Sequence, residues 1–377
     1  MAQNKLYQAL GMMSGTSMDG IDIALMRSDG QTVEGERHHI TIPYAKNMRV
    51  VIQNAMTAAK NCAFKDNSVQ AIMDAEQQLT ALHCDAISTF LATMGISAND
   101  IDVIGVHGQT IVHCPDDGWT WQLMDGAAVA NRFGITTVSD FRSNDMRHGG
   151  QGAPLVPLYH HALLASQNIT EPVAVLNIGG VANVTWLDFS EQTTSQSPTI
   201  IAFDTGPGNA PLDDWAMRHM GQPCDLDGAL AKKGTVDRGI LQAWLANSYF
   251  QKKPPKTLDR DTFSYDLLET LSAENGAATL VAFIVESIGK ATAFFPKAVS
   301  HWYVCGGGRH NPVLMEQLAK TLDGKVSPVE GLGWNGDALE AEAFAFLAVR
   351  ALKGLALTQP STTGVKTAVS GGVIHSA

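Results

Sequence analysis

One acid in this chain stands where a catalytic carboxylate would. The run Ile200-Ile201-Ala202-Phe203 is apolar and β-prone and delivers Asp204 at its end. Thr205-Gly206-Pro207-Gly208-Asn209 follows, then an amphipathic stretch with Leu212, Trp215, Ala216 and Met217. Glycines let backbone N–H groups approach an anion with no Cβ in the way, and a helix starting just beyond adds its positive end. Asp204 therefore reads as a general base beside a phosphate site. A turn aspartate capping the next helix is the other reading the stretch allows.

Three further glycine tips follow β-prone runs: Ser14-Gly15-Thr16-Ser17-Met18-Asp19-Gly20, Gly179-Gly180 and Gly306-Gly307-Gly308. Each alone is turn punctuation. With the Asp204 loop they describe two phosphate-facing hairpins, one per domain, and a turn on which an adenine or ribose could lie. There is no Gly-x-x-x-x-Gly-Lys-Ser/Thr run, no dinucleotide fingerprint after the first strand and no Gly-x-Ser-x-Gly elbow, which disfavours a Walker loop, a dinucleotide fold and a serine hydrolase. His160-His161 would point to different faces of a helix and His107 and His113 lack a matching acid, so zinc is disfavoured too.

Such loops need a scaffold of strands and helices. Apolar runs at 6–13 and 21–26 form a hairpin around the first tip, and 173–178 and 181–187 repeat that pattern around the second. Helical patterns cover 46–60, 68–94, 125–133, 236–247, 265–273, 277–295, 312–322 and 337–352; further strands are expected at 102–106, 119–123, 135–138 and 302–305, and a polar surface loop at 190–197. Alternating strands and helices predict an α/β protein. The crossing His148-Gly149-Gly150-Gln151-Gly152-Ala153-Pro154 sets the domain boundary: 1–148 plus about 337–377 form one domain and 149–336 the other.

The chain has 377 residues, enough for two domains. Hydrophobic residues make up 45% and charged residues 17%, and the formal charge of −11 argues against a nucleic-acid or anionic-membrane partner. Five scattered cysteines with no Cys-x-x-Cys pair are expected as reduced thiols in a cytoplasm. The N-terminal apolar patch makes a poor signal peptide. Ala277 to Phe295, interrupted by Glu286 and Lys290, reads as a buried helix and not a membrane span.

Several blocks resemble the signatures of anhydro-N-acetylmuramic acid kinases. They are Gly11-Met-Met-Ser-Gly-Thr-Ser-Met-Asp-Gly-Ile-Asp22, Gly105-Val-His-Gly-Gln-Thr, Asp140-Phe-Arg, Gly149-Gly-Gln-Gly-Ala-Pro-Leu-Val-Pro, Leu176-Asn-Ile-Gly-Gly-Val-Ala-Asn, Phe203-Asp-Thr-Gly-Pro-Gly-Asn, Cys305-Gly-Gly-Gly-Arg-His-Asn-Pro and Gly336-Asp-Ala-Leu-Glu-Ala. They run in order from about residue 7 to 350. The resemblance implies two ribonuclease-H-like domains, the actin/hexokinase-type ATPase fold, with a central nucleotide cleft. It implies a cytoplasmic kinase that takes ATP, Mg²⁺, water and 1,6-anhydro-N-acetylmuramic acid to N-acetylmuramic acid 6-phosphate and ADP in cell-wall recycling. A homodimer is compatible with it.

The implied roles fall as follows. Asp204 is the catalytic base. The nucleotide takes Gly15, Thr16, Ser17, Met18, Asp19, Gly20, Ile21 and Asp22 in the first turn, Gly179 and Gly180 in the second, Gly206 and Gly208 beside the base, and Gly306, Gly307, Gly308 and Asn311 at the adenosine end. Gln109, Arg142 and Glu340 face the sugar; for Arg142 a structural salt bridge is the rival reading. Met13-Ser14 stands where many members of the wider superfamily carry an aspartate, so the metal ligands are left unassigned. A conventional sugar or polyol kinase, and a non-catalytic ATP switch in the actin or chaperone style, are the alternatives.

Overall fold

The computed structural model describes residues 5–377 apart from 16, 17, 19, 191–198 and 261. The chain forms two compact units: Met1–Gln167 with Ala338–Ala377, and Asn168–Asp337. It passes to the second unit later than the 148–154 crossing, because α5 (Pro157–Leu164) still belongs to the first, where the Tyr159 hydroxyl bonds Glu342.

The first unit contains strands β1 (Tyr7–Ser14), β2 (Gly20–Ser28), β3 (Val33–Pro43), β4 (Val103–Cys114), β5 (Trp119–Leu123) and β6 (Thr137–Ser139). Its helices are α1 (Lys46–Ala59), α2 (Gln70–Met94), α3 (Gly126–Phe133), α4 (Ser143–Arg147) and α5. The second unit carries β7 (Val173–Ile178), β8 (Val181–Asp188), β9 (Thr199–Pro207), α6 (Ala210–Met220), α7 (Arg238–Leu245), α8 (Ala273–Ala291), β10 (His301–Cys305), α9 (Pro312–Thr321) and β11 (Lys325–Pro328). The chain then returns to the first unit as α10 (Leu339–Leu352), α11 (Pro360–Thr363) and β12 (Val373–His375).

The two sheets repeat one plan. In the first, the order is β12-β6-β4-β1-β2-β3, with β5 also on β4; in the second it is β11-β10-β7-β8-β9. Each begins with an antiparallel three-strand meander, and its first strand also pairs in parallel with a strand that arrives after helices. A further parallel strand follows, β6 or β11. This duplicated order is that of the ribonuclease-H-like fold expected from the sequence.

Small residues set the first core. A Cβ on Gly11 would lie 1.9 Å from the Ala341 carbonyl oxygen, and one on Gly105 would lie 2.2 Å from that of Phe344. The glycines of β1 and β4 thus let α10 lie directly on the sheet, a closeness its Ala341, Ala345 and Ala348 match. In the second unit the spine is α8, buried along Ala277 to Ile288 and started by Ser272, whose side chain accepts the Asn275 N–H. The segment Ala273–Phe294 is, among the described residues, the one helix apolar and long enough to cross a membrane, but 67% of its most apolar window is buried inside the protein.

Some elements differ from the sequence reading. The pattern at 265–273 is a short 3-10 turn, Asp266–Thr270, because Ser272 starts α8 at once behind it. Strand β4 runs on to Cys114, because β5 pairs with its second half. Strand β3 was not anticipated; its charged residues suit an edge position. The loop expected at 190–197 lies, after Ser190, outside the described residues.

Candidate active site

In the second unit three glycine turns meet at one end of the sheet. The Asn209 N–H donates to the Gly179 oxygen (2.7 Å), and the Gly208 N–H donates to that of Gly180 (3.0 Å). The Asn209 side-chain amide donates to the Ile178 oxygen (3.2 Å). A Cβ on Gly306, whose φ is +74°, would meet Asn177 Oδ1 at 2.3 Å, and one on Gly308 would meet Ile178 Cγ2 at 2.5 Å. The third turn is therefore pressed onto the end of β7 beside the second. Because the Gly179 oxygen faces Asn209, the trans peptide plane aims the Gly180 N–H the opposite way, out of the tip. The Asn209 and Ala210 N–H groups that open α6 are taken by the Gly179 and Gly180 oxygens, so the outward Gly180 amide is what this tip offers an anion.

Not every glycine serves that purpose. A Cβ on Gly206 would meet Ser287 Oγ at 2.5 Å, and one on Gly208 would meet the Gly179 oxygen at 2.2 Å. Both make room for neighbours, α8 in the first case and the tip in the second. A Cβ on Gly307 has no neighbour nearer than Asn209 Nδ2 at 3.4 Å. The Asn311 side chain accepts the Val313 and Leu314 N–H groups and caps α9.

Asp204 lies inside β9, and the register of β8 against β9 shifts between Ala182 and Asn183, setting Asn183 opposite Asp204 and Ala182 opposite Gly206. It does not cap α6, whose N-cap position is Asn209. Instead Asp204 Oδ2 accepts the Leu258 N–H (2.8 Å), its N–H donates to the Lys256 oxygen (3.1 Å), and its own oxygen accepts the Tyr249 hydroxyl (2.5 Å). The residue is buried, its carboxylate held at Oδ2 by the Leu258 N–H and its main chain held by Lys256 and Tyr249.

Lys256, whose main-chain oxygen accepts the Asp204 N–H, is buried at 2% exposure. Its Nζ donates to the Tyr249 oxygen (3.1 Å) and lies 4.4 Å from the Tyr249 ring centre, 4.6 Å from that of Phe294 and 5.6 Å from that of Phe203. Burial lowers the ammonium to about 8; Asp204 works against that shift and Lys252 adds to it. The Tyr249 phenol is pushed far up, first by burial and then by the Asp204 charge. Neither residue is among those singled out from the sequence, where Lys256 ends the run Lys252-Lys253-Pro254-Pro255-Lys256.

In the first unit Gly15 accepts the Met18 N–H (3.2 Å) and the Gln109 Nε2–H (3.2 Å) through its carbonyl. Thr16, Ser17 and Asp19 lie outside the described residues. Met18 adopts φ +52° and its oxygen accepts the Arg49 guanidinium. Gly20 is paired with Pro43, the Ile21 side chain is in the core, and Asp22 Oδ1 accepts the Thr41 hydroxyl. The side chains of Ile21 and Asp22 are thus already used by the fold.

Gln109 is buried and its Oε1 has no partner. Arg142 donates from Nε to His107 Nε2 (2.9 Å) and from Nη1 to the Gly152 oxygen (2.7 Å). His107 is neutral: burial, then the Arg142 charge, lowers its pKa, and its Nδ1–H donates to the Gly108 oxygen. Glu340 stands half-buried in the first turn of α10. One turn-mate missed from the sequence is Glu342, which takes both the Arg37 guanidinium and the Tyr159 hydroxyl.

Among the described residues no group of three or more His, Cys, Asp and Glu side chains could hold a metal ion. Mg²⁺ arriving with a nucleotide takes most of its ligands from phosphate and water, so this donor set is compatible with it.

A family model described as anhydro-N-acetylmuramic acid kinase matches residues 7–377. Curated relatives carry the same name. One from Paramagnetospirillum magneticum is 47% identical, over 97% of this chain and 99% of its own. One from Rhizorhabdus wittichii is 48% identical, over 97% and 98%. Among solved structures, the activator of the 2-hydroxyisocaproyl-CoA dehydratase from Clostridium difficile, with bound ADPNP, is 11% identical over 92% of this chain and 96% of that one, with a TM-score of 0.45.

Proposed function

The chain belongs to the anhydro-N-acetylmuramic acid kinase family, and we propose that it uses ATP to open and phosphorylate 1,6-anhydro-N-acetylmuramic acid. The products are N-acetylmuramic acid 6-phosphate and ADP, formed in the cytoplasm during cell-wall recycling. The five cysteines form no disulfide among the described residues, which is compatible with that reducing compartment. One observation carries the reading: a buried, backbone-held carboxylate stands on the strand that ends among the glycine turns.

The 6-oxygen of the substrate is locked in an ether bridge and has no proton to lose. Asp204 takes a proton from water as the water oxygen bonds to the anomeric carbon. The bond from that carbon to the 6-oxygen breaks, and its electron pair forms the bond to the γ-phosphorus while ADP leaves. General-base action contributes on the order of a hundred- to ten-thousand-fold, and positioning and charge neutralisation supply the rest. In the second unit Gly179, Gly180, Gly306 and Gly307 are assigned to the nucleotide, with Asn311 acting through the cap of α9. The roles of Gly206 and Gly208 are to let that loop pack. In the first unit Gly15, Thr16, Ser17, Met18, Asp19 and Gly20 meet the nucleotide by backbone or by short polar side chains. Gln109, whose Oε1 awaits a donor, Arg142 and Glu340 meet the sugar. Mg²⁺ bound with the phosphates supplies charge neutralisation.

The test is a coupled ADP assay with the anhydro-sugar against N-acetylmuramic acid and N-acetylglucosamine, repeated in ¹⁸O-water. Turnover with the anhydro-sugar and label at the anomeric oxygen, none in the phosphate, is expected. Label in the phosphate means plain ATP hydrolysis. Asp204→Asn should lose roughly three powers of ten in turnover; near-parental turnover removes Asp204 from the mechanism.

A further inference from the structure

We infer that Lys256 is a positioning residue for the reaction, a caged ammonium that holds Asp204 ionised and in place as the base. The inference rests on the assignment of Asp204 as that base, and the geometry gives it three supports.

First, Lys256 is buried where an ammonium is costly to keep. Its Nζ has one hydrogen bond, to the Tyr249 oxygen, and otherwise faces the rings of Tyr249, Phe294 and Phe203. Ring faces stabilise a cation without neutralising it, so the charge keeps its field. Second, the Lys256 segment holds Asp204 on both sides: the Lys256 oxygen accepts the Asp204 N–H, and the Leu258 N–H, two residues on, donates to the Asp204 carboxylate. A shift of this main-chain segment, which the buried Lys256 side chain anchors, would move the carboxylate. Third, Tyr249 joins the two, since its hydroxyl donates to the Asp204 oxygen and its own oxygen accepts Lys256 Nζ.

The groups acting on the ammonium are Asp204, which stabilises it, and Lys252, which opposes it; Tyr249 faces both with a phenol that stays protonated. A cation beside a carboxylate lowers its pKa by about 1 to 3 units. The consequence is a base that remains ionised further into acid than its burial would allow.

The experiment compares the parent with Lys256→Met, which keeps length and loses charge, and with Lys256→Arg. Assayed with ATP and the anhydro-sugar, Lys256→Met should move the acid limb of kcat/KM up by about 1 to 3 pH units, with KM for ATP unchanged, and Lys256→Arg should return the limb towards the parent. A limb unmoved in Lys256→Met overturns the inference, because a purely structural role would lower the plateau only. A second measurement stands if Lys256→Met does not fold. In protein labelled with [ε-¹³C]lysine, the parent should show one ammonium titrating near 8, and Asp204→Asn should lower that midpoint by about one unit or more. An unchanged midpoint overturns the pairing. Parental turnover of Asp204→Asn would instead overturn the base assignment on which this rests.

Discussion

Removal of the Arg37 charge should unsettle the helix turn that carries Glu340. Arg37 Nη1 lies 2.9 Å from Glu342 Oε2, and the Tyr159 hydroxyl donates to the same oxygen at 2.5 Å. Three elements, β3, α5 and α10, are pinned by that one carboxylate. The Glu342 side chain is only 2% exposed and that of Arg37 18%, so water replaces a lost partner poorly. At an effective dielectric of about 20 the pair attracts by roughly 6 kcal/mol, most of it offset by desolvation. Arg37→Met leaves the carboxylate buried with one neutral donor, and breaking a buried pair in this way costs about 3–5 kcal/mol. The assay is urea unfolding followed by tryptophan fluorescence; Trp121, 3% exposed, reports on the first unit. Burial already raises the Glu342 pKa, against the opposing pull of Arg37. Without Arg37 it rises further, and the carboxyl takes up a proton as the pH falls. The penalty should therefore be larger at pH 8 than at pH 5, and Glu342→Gln added to Arg37→Met should recover about 1–3 kcal/mol. A penalty below about 1 kcal/mol, the range of an exposed pair, or one independent of pH, refutes the reasoning.

Two further outcomes are expected. Gly105→Ala places a methyl 2.2 Å from the Phe344 oxygen and should cost about 1–3 kcal/mol or more in urea unfolding, whereas Gly239→Ala, with no neighbour nearer than 3.3 Å, should stabilise α7 by up to about 1 kcal/mol; equal signs would refute the packing account. His83, buried and lowered to about 4 from 6.5 mainly by burial, is neutral in the fold while the unfolded chain binds its proton below 6.5. Stability should then fall as pH drops from 6.5 to 4, by on the order of 3 kcal/mol from this residue; a His83→Gln protein with an equally steep loss would refute it.

What the sequence made legible was local. A strand, a glycine tip and a second strand fall within about twenty residues, so both hairpins and the Asp204 strand could be read from spacing and composition. The two hairpins then repeated in the structure as expected, each extended by a third antiparallel strand. Contacts across long separations left no such trace. Ser287, on α8, fills the space beside Gly206, and the α10 backbone fills that beside Gly11 and Gly105. In the sequence those glycines look like any others. Arg37 and Glu342 meet although they stand 305 positions apart in the chain, and no periodicity in either segment announces the other.

The same distinction decides how the candidate base should be judged. An aspartate after an apolar run is a common turn feature, and its spacing from the next helix left capping open. What removes capping is the Leu258 N–H, which accounts for Asp204 Oδ2, together with an Asn209 that occupies the cap position. A carboxylate held by backbone from a distant segment that also carries a lysine enclosed by aromatic rings is costly to assemble for helix capping alone, which contributes only about 1 kcal/mol. Buried charges of this kind are retained where chemistry needs them. Asp204 is thus distinguished less by its motif than by the far-off residues that hold it, and Lys256 is the one whose loss would separate the two.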